Sequence, residues 1–119
     1  MVTFRRGSVV WADFGSGVGA EQKKRRPAIV VSHNGANSAA QTIGYGVVTV
    51  VPVTSQPRSP KQFQTFLRAS ETGLSRDVIA QAEQIRSVDM SRIRATSTVL
   101  PNEALEKLER AIRVHLGLY

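Results

Sequence analysis

The sequence predicts a mainly β (α+β) fold, a small antiparallel barrel or curled sheet carrying one C-terminal amphipathic helix. Three observations point there. Short runs rich in Val and Ile recur along the chain, long polar stretches punctuated by glycine or proline separate them, and helical spacing shows clearly only in the last segment.

Taken in order, "SVVWADF" (8–14) follows Gly7 and reads as a first strand. "GSGVGAEQKKRR" (15–26) is glycine-rich and then charged, a connection too long for a tight hairpin and expected to be mobile. "PAIVVS" (27–32) has the length and composition of a buried strand, and "HNGANSAAQTIGYG" (33–46) reads as a second long loop. "VVTVVPVTS" (47–55) is a third strand in which Pro52 implies an edge or a bulge. After the polar "QPRSPKQ" (56–62), "FQTFLRA" (63–69) reads as another strand. "VIAQAEQIRSV" (78–88) reads as a strand pair or a strand broken by a bulge, and 90–100 is ambiguous. Leu105, Leu108, Ile112 and Leu116 then form one helical stripe, with Pro101 suited to the first helical position and Glu103 to the first turn.

With 119 residues the chain has the size of one domain, 1–119, with a single core. It has no cysteine, which excludes disulfide scaffolds and thiolate metal sites. No apolar run approaches the ~20 residues of a membrane span, and "MVTFRRGSVV" lacks the order of a secretory signal. No membrane association is therefore expected, and the default location is cytoplasmic. The two histidines, His33 and His115, have no partners at ligand spacing, and "GSGVG" has neither the lysine of a P-loop nor dinucleotide-fold spacing. No metal and no cofactor are expected.

Charge is more informative. Sixteen Lys and Arg oppose nine Asp and Glu, a net +7, and Arg outnumbers Lys. Such a chain attracts polyanions at long range, and nucleic acid is favoured over basicity without a partner. Four of the cations, Lys23, Lys24, Arg25 and Arg26, stand in a row before Pro27. A residue preceding proline is pushed to extended backbone, so Arg26 belongs to the start of a rigid strand while Lys23, Lys24 and Arg25 lie on the loop with Glu21 as the local acid. Taken alone, the run reads first as a solvated charged face. Thr54 and Ser55 close a strand with two hydroxyls, which commonly satisfy nearby backbone. In "EQIRS" (83–87), strand alternation would send Glu83, Ile85 and Ser87 to one face and Gln84 and Arg86 to the other.

These blocks together resemble the MazF/PemK family of toxin endoribonucleases from type II toxin–antitoxin modules. "RRGSVVWADFGSGVGAEQKKRRPAIVVS" is similar to the family's opening, R-G-x-[IV]-W-x-[VA]-D-[FL] followed by G-x-E-Q-x-x-x-R-P-A-[VI]-V-[IV]-S; "TVVPVTS" and "AEQIRSVD" match its second and third blocks in order and at the family's spacing. Departures are small: Ser16 or Gly17 stands where a proline is usual, His33-Asn34 replaces Asn-Asp, and Gln81 aligns with an arginine of some members.

The resemblance implies the SH3-like barrel of the MazF/CcdB/Kid plasmid toxins, working as a homodimer. It implies sequence-specific, metal-independent cleavage of single-stranded RNA, often mRNA, and so inhibition of translation and growth. It also implies a cognate MazE-like antitoxin whose acidic tail occupies the RNA groove. By that resemblance Arg26 and Thr54 are the catalytic pair, and Glu21 is a base or a base-reader. Lys23, Lys24, Arg25, Ser55, Glu83, Gln84 and Arg86 are expected to bind RNA or to wall the site, and the variable stretches 15–25 and 56–62 to carry specificity. The chemistry agrees with the residue types: attack by a ribose 2′-OH needs a cation on the phosphorane-like transition state, and a guanidinium offers five fixed N–H donors. Two other readings remain, a CcdB-like protein that poisons gyrase by contact and a barrel that binds nucleic acid without cutting it. The Arg-Pro block paired with the Thr-Ser block favours the nuclease.

Overall fold

The computed structural model describes residues 3–56 and 58–118; Pro57 of the expected 56–62 loop and the first two residues of the N-terminal segment lie outside the described residues. Seven strands form one antiparallel sheet: β1 (Ser8–Asp13), β2 (Arg25–Val30), β3 (Val47–Thr54), β4 (Gln64–Leu67), β5 (Val78–Gln81), β6 (Arg86–Asp89) and β7 (Ile93–Val99). Their order is β4-β5-β3-β2-β1-β7, with β6 also pairing β3. The sheet is curled rather than closed, because β4 and β7 occupy its two ends. Three helices accompany it, α1 (Asn34–Ile43), α2 (Ala69–Thr72) and α3 (Asn102–Leu116).

The apolar runs are continuous because both faces of the central strands are buried. Val9, Ile29, Val51 and Val53 face one cluster with Leu67, Val78, Leu100, Ala104 and Leu108. Their neighbours Val10, Ala28, Val30, Val48 and Val50 face a second cluster with Ala12, Phe14 and Val88. α3 covers the first face. Its buried line is Ala104, Leu108 and Ala111, with Leu105 and Ile112 half-buried. Leu116 departs from the expected stripe and is 49% exposed, as is natural in a last turn that runs past the sheet. Pro101 is the N-cap, one residue before the first helical position, with ψ 150°.

The strand break expected in 78–88 is real: β5 ends at Gln81, a single 3₁₀ turn covers Ala82–Gln84, and β6 begins at Arg86. Val50 pairs with Arg86 and Val53 with Ala80, so Val51 and Pro52 lie opposite this turn. Pro52 therefore occupies a gap in the ladder, a bulge-like setting in which a strand tolerates a residue without an N–H. The same turn removes the face alternation expected for Glu83 to Ser87. The ambiguous stretch 90–100 resolves into a 3₁₀ turn, Met90–Arg92, followed by edge strand β7.

α1 corrects the loop expected at 33–46. No apolar stripe announces it, and it is held by polar side chains instead. His33 is its N-cap, with Nδ1 accepting from the Ala36 N–H at 3.4 Å, and Gly44 ends it in the left-handed region at φ 78°. Asn37, buried, donates to the Ser32 carbonyl at 2.8 Å. Gln41 accepts from the Phe4 N–H at 3.1 Å and donates to the Phe4 carbonyl at 2.9 Å.

Asp89 caps the second 3₁₀ turn. Its carboxylate accepts from the Ser91 hydroxyl and from the Ser91 N–H, and with the Arg92 charge nearby these hold its pKa below the usual carboxylate value. A depressed carboxylate pKa contributes stability above the ordinary value and loses it as pH falls through the folded one. An NMR titration of the Asp89 carboxyl should accordingly show its midpoint rise in Ser91→Ala; an unmoved midpoint contradicts the cap.

Candidate nucleic-acid interface

β2 pairs with β3 through Ala28–Pro52, Ile29–Val51 and Val30–Val50, and the ladder ends there. Carrying that register two residues further brings Arg26 level with Thr54, and one more step brings Arg25 level with Ser55. Alternation then assigns Arg26 and Thr54 to one face, with Ala28 and Pro52, and Arg25 and Ser55 to the other, with Pro27. Arg25 and Arg26 are both strand residues, paired with Asp13 and Ala12 of β1, so β2 begins two residues before the expected start at Pro27. This corrects the expectation that Arg25 lies on the loop.

A cleft of about 670 Å³ opens beside these strand ends. Arg25, Arg26, Pro27 and Ser55 line it together with Arg76 and the Thr72–Ser75 turn, and with Trp11, Thr96 and Thr98 of β1 and β7. Gly73 ends α2 at φ 74°, and a Cβ there would meet Thr98 Oγ1 at 2.7 Å, so the close approach of this turn to β7 depends on glycine. Thr54 is half-buried at the end of β3, paired with Ile79 of β5.

The cations are free to meet an anion. Among the described residues the one ion pair is Arg6 with Glu109, at 3.5 Å. Lys23, Lys24, Arg25 and Arg26 are exposed and have no acidic partner there. The Arg26 side chain makes one hydrogen bond among the described residues, its Nε donating to the Lys23 carbonyl at 3.2 Å.

The 15–24 connection is anchored, against the expected mobility. Lys24 sits in the left-handed region at φ 68°, the one non-glycine residue to do so among the described residues. Its N–H donates to the Gly15 carbonyl at 2.6 Å, and its carbonyl accepts from the Phe14 N–H at 2.9 Å. Further along, Gln22 donates through its N–H to Gln84 Oε1 at 3.1 Å and through Nε2 to Gln81 Oε1, while Gln84 Nε2 donates to the Ala20 carbonyl at 2.8 Å. Glu21, in the same loop, is exposed.

The third block is engaged within the protein. Glu83 Oε2 accepts from Gln64 Nε2 at 2.7 Å, and Gln64 Oε1 in turn accepts from the Lys61 N–H at 3.2 Å. Arg86 donates to the Phe14 carbonyl at 3.3 Å, and its guanidinium lies 5.5 Å from the centre of the Phe14 ring. Glu83, Gln84 and Arg86 are all half-buried. Of the expected site residues, Arg25, Arg26 and Ser55 line the cleft, whereas Thr54, next to Ser55 in the chain, does not. Glu21, Lys23, Lys24, Glu83, Gln84 and Arg86 lie outside its lining.

Trp11 and Arg76 were not anticipated. Trp11 is 40% exposed between buried Val10 and Ala12, so strand alternation alone carries a signal for it. Arg76 sits in an irregular turn with no periodicity to mark it.

The backbone strain at Lys24 is testable. Lys24→Val should cost about 1–3 kcal/mol more than Lys24→Gly by urea denaturation, since a β-branched residue tolerates positive φ poorly. Equal stabilities contradict the assigned conformation.

Three comparisons bear on these residues. The model of the family described as PemK-like, MazF-like toxin of type II toxin–antitoxin system matches residues 5–116. Endoribonuclease MazF9 of Mycobacterium tuberculosis is 42% identical over 115 residues, covering 97% of this chain and 98% of the relative. The crystal structure of MazF from Deinococcus radiodurans superposes with a TM-score of 0.77 at 29% identity, covering 98% of this chain and 99% of that one. A chain of the MazE–MazF crystal structure from the same organism superposes at 0.71 with 25% identity and full coverage of both.

Proposed function

We propose that this chain, which belongs to the PemK-like, MazF-like toxin family of type II toxin–antitoxin systems, is an endoribonuclease that cuts single-stranded RNA at a short sequence, without a metal, and so inhibits translation and growth. The reading rests on the β2–β3 register, which ends at Ala28–Pro52 and, extended by two residues, brings Arg26 level with Thr54 on one face. A relative 42% identical over nearly the full length is named an endoribonuclease, which supports the activity. A relative of the same fold is solved with MazE, which supports an antitoxin partner.

In this mechanism the ribose 2′-OH attacks the adjacent phosphorus. The P–O5′ bond breaks, leaving a 2′,3′-cyclic phosphate and a new 5′-OH end. The proton lost by the 2′-OH goes to a base, and another is delivered to the departing 5′ oxygen. Arg26 grips the non-bridging oxygens as negative charge builds on them; its Nε is held by the Lys23 carbonyl, and its Nη groups have no hydrogen-bond partner among the described residues. The Thr54 hydroxyl, or Ser55 beside it, hydrogen-bonds the scissile phosphate and aligns the attack. Glu21 serves as base or base-reader from the anchored loop. Trp11, which lines the cleft and is partly exposed, offers a face on which a base can stack. Lys23, Lys24 and Arg25 supply attraction for the RNA backbone, while Glu83, Gln84 and Arg86, bonded within the protein, support the segments around the site rather than line it. A homodimer and the acidic tail of an antitoxin complete the reading, the latter suited to a chain of net charge +7.

Incubation of single-stranded RNA with the purified protein in EDTA should yield new 5′-OH ends. Arg26→Ala and Thr54→Ala should each lower kcat/KM by about 10²–10³-fold with Tm unchanged. Parental activity in either variant, or loss of cleavage on chelation, overturns the mechanism. Binding without new ends would mark a non-catalytic barrel.

Lys23→Ala is expected to weaken RNA binding and to reduce the slope of log K against log[salt] by about one, with turnover at saturation retained. An unchanged slope removes Lys23 from the interface.

A further inference from the structure

We propose that Gln22 and Gln81 are positioning residues that set the orientation of the Arg26 guanidinium through the backbone of the 15–24 loop. The inference rests on the assignment of Arg26 as the phosphate-gripping cation. What orients Arg26 within the chain is the bond from its Nε to the Lys23 carbonyl. Lys23 is an exposed residue with no side-chain hydrogen bond among the described residues, so that carbonyl is only as well placed as its two neighbours.

Both neighbours are anchored. On the C-terminal side, Lys24 is bonded to Gly15 and Phe14. On the N-terminal side, Gln22 makes two bonds, one to Gln84 and one to Gln81. Gln81 is 8% exposed at the end of β5, so the second bond roots the loop in the sheet. Gln84 closes the arrangement by donating to the Ala20 carbonyl, so three amide side chains join residues 20–22 to residues 81–84, about sixty positions away in sequence.

The chemistry requires such an anchor. A guanidinium with Nε held presents the plane of its Nη donors in one direction; released, it samples several rotamers and grips the transition state less often. The glutamines touch neither substrate nor reacting atoms. Their effect should therefore fall on the rate of the bound complex rather than on affinity.

The test uses the full chain. Gln22→Met and Gln81→Met, which keep length and remove the amide, should each lower the single-turnover rate at saturating RNA by about tenfold. Affinity for a 2′-deoxy-substituted, uncleavable oligonucleotide should stay within about twofold of the parent. Because both act through one bond, the double variant should be little slower than either single one. Hydrogen exchange at the Gln22 and Lys24 amides should quicken in each variant. If Gln81→Met fails to fold, Gln22→Met, at a half-buried loop position, carries the same measurements. A parental rate, a multiplied loss in the double variant, or a loss shared equally with affinity overturns the proposal. Unchanged exchange overturns the clamp whatever the activity. Should Arg26→Ala cleave as the parent does, the reading of Arg26 fails instead, and the exchange result still decides whether the clamp exists.

Discussion

The register of β2 against β3 is the constraint on which the rest of the molecule depends. Ile29 with Val51 and Val30 with Val50 are buried on both faces of the sheet, so a one-residue slip would exchange the two core clusters and break both. The same pairing, extended past its last bond, brings Arg26 level with Thr54. Core packing thus sets where these two polar side chains stand, although neither belongs to the core clusters. The ladder ends at Ala28 and Pro52, and beyond it the strand ends border a cleft.

The charge distribution follows from a different economy. Sixteen cations against nine acids leave most guanidinium and ammonium groups unmatched, and among the described residues one ion pair forms, outside the cleft lining. The loop that carries Lys23 and Lys24 is held by uncharged groups, backbone carbonyls and glutamine amides. Neutral anchors fix the chain without consuming the cations that an RNA backbone would meet. A carboxylate in the place of Gln81 would do otherwise, offering those cations an internal partner.

How much could be read beforehand depended on the kind of interaction involved. The five strands with strong β character, and the C-terminal helix, were legible because their signals are periodic and local: Val and Ile for the strands, Leu105, Leu108 and Ile112 for the helix. α1 was not legible, because Asn37 and Gln41 hold it through Ser32 and Phe4 rather than through an apolar stripe. The extended backbone of Arg26 was legible from Pro27. The Gln22–Gln81 bond was not, since amide side chains have no preferred spacing and these two meet only when β5 lies beside β3.

Short-range steric and hydrophobic rules, acting within a few residues, were enough to specify strands, a helix, a basic loop and an arginine held extended by proline. Which hydroxyl stands level with that arginine, which glutamines tie down its loop, and that Trp11 and Arg76 share its cleft came from strand register and sheet curl. Those are properties of pairings between distant segments, settled by the joint burial of two apolar faces, and no single stretch of chain encodes them.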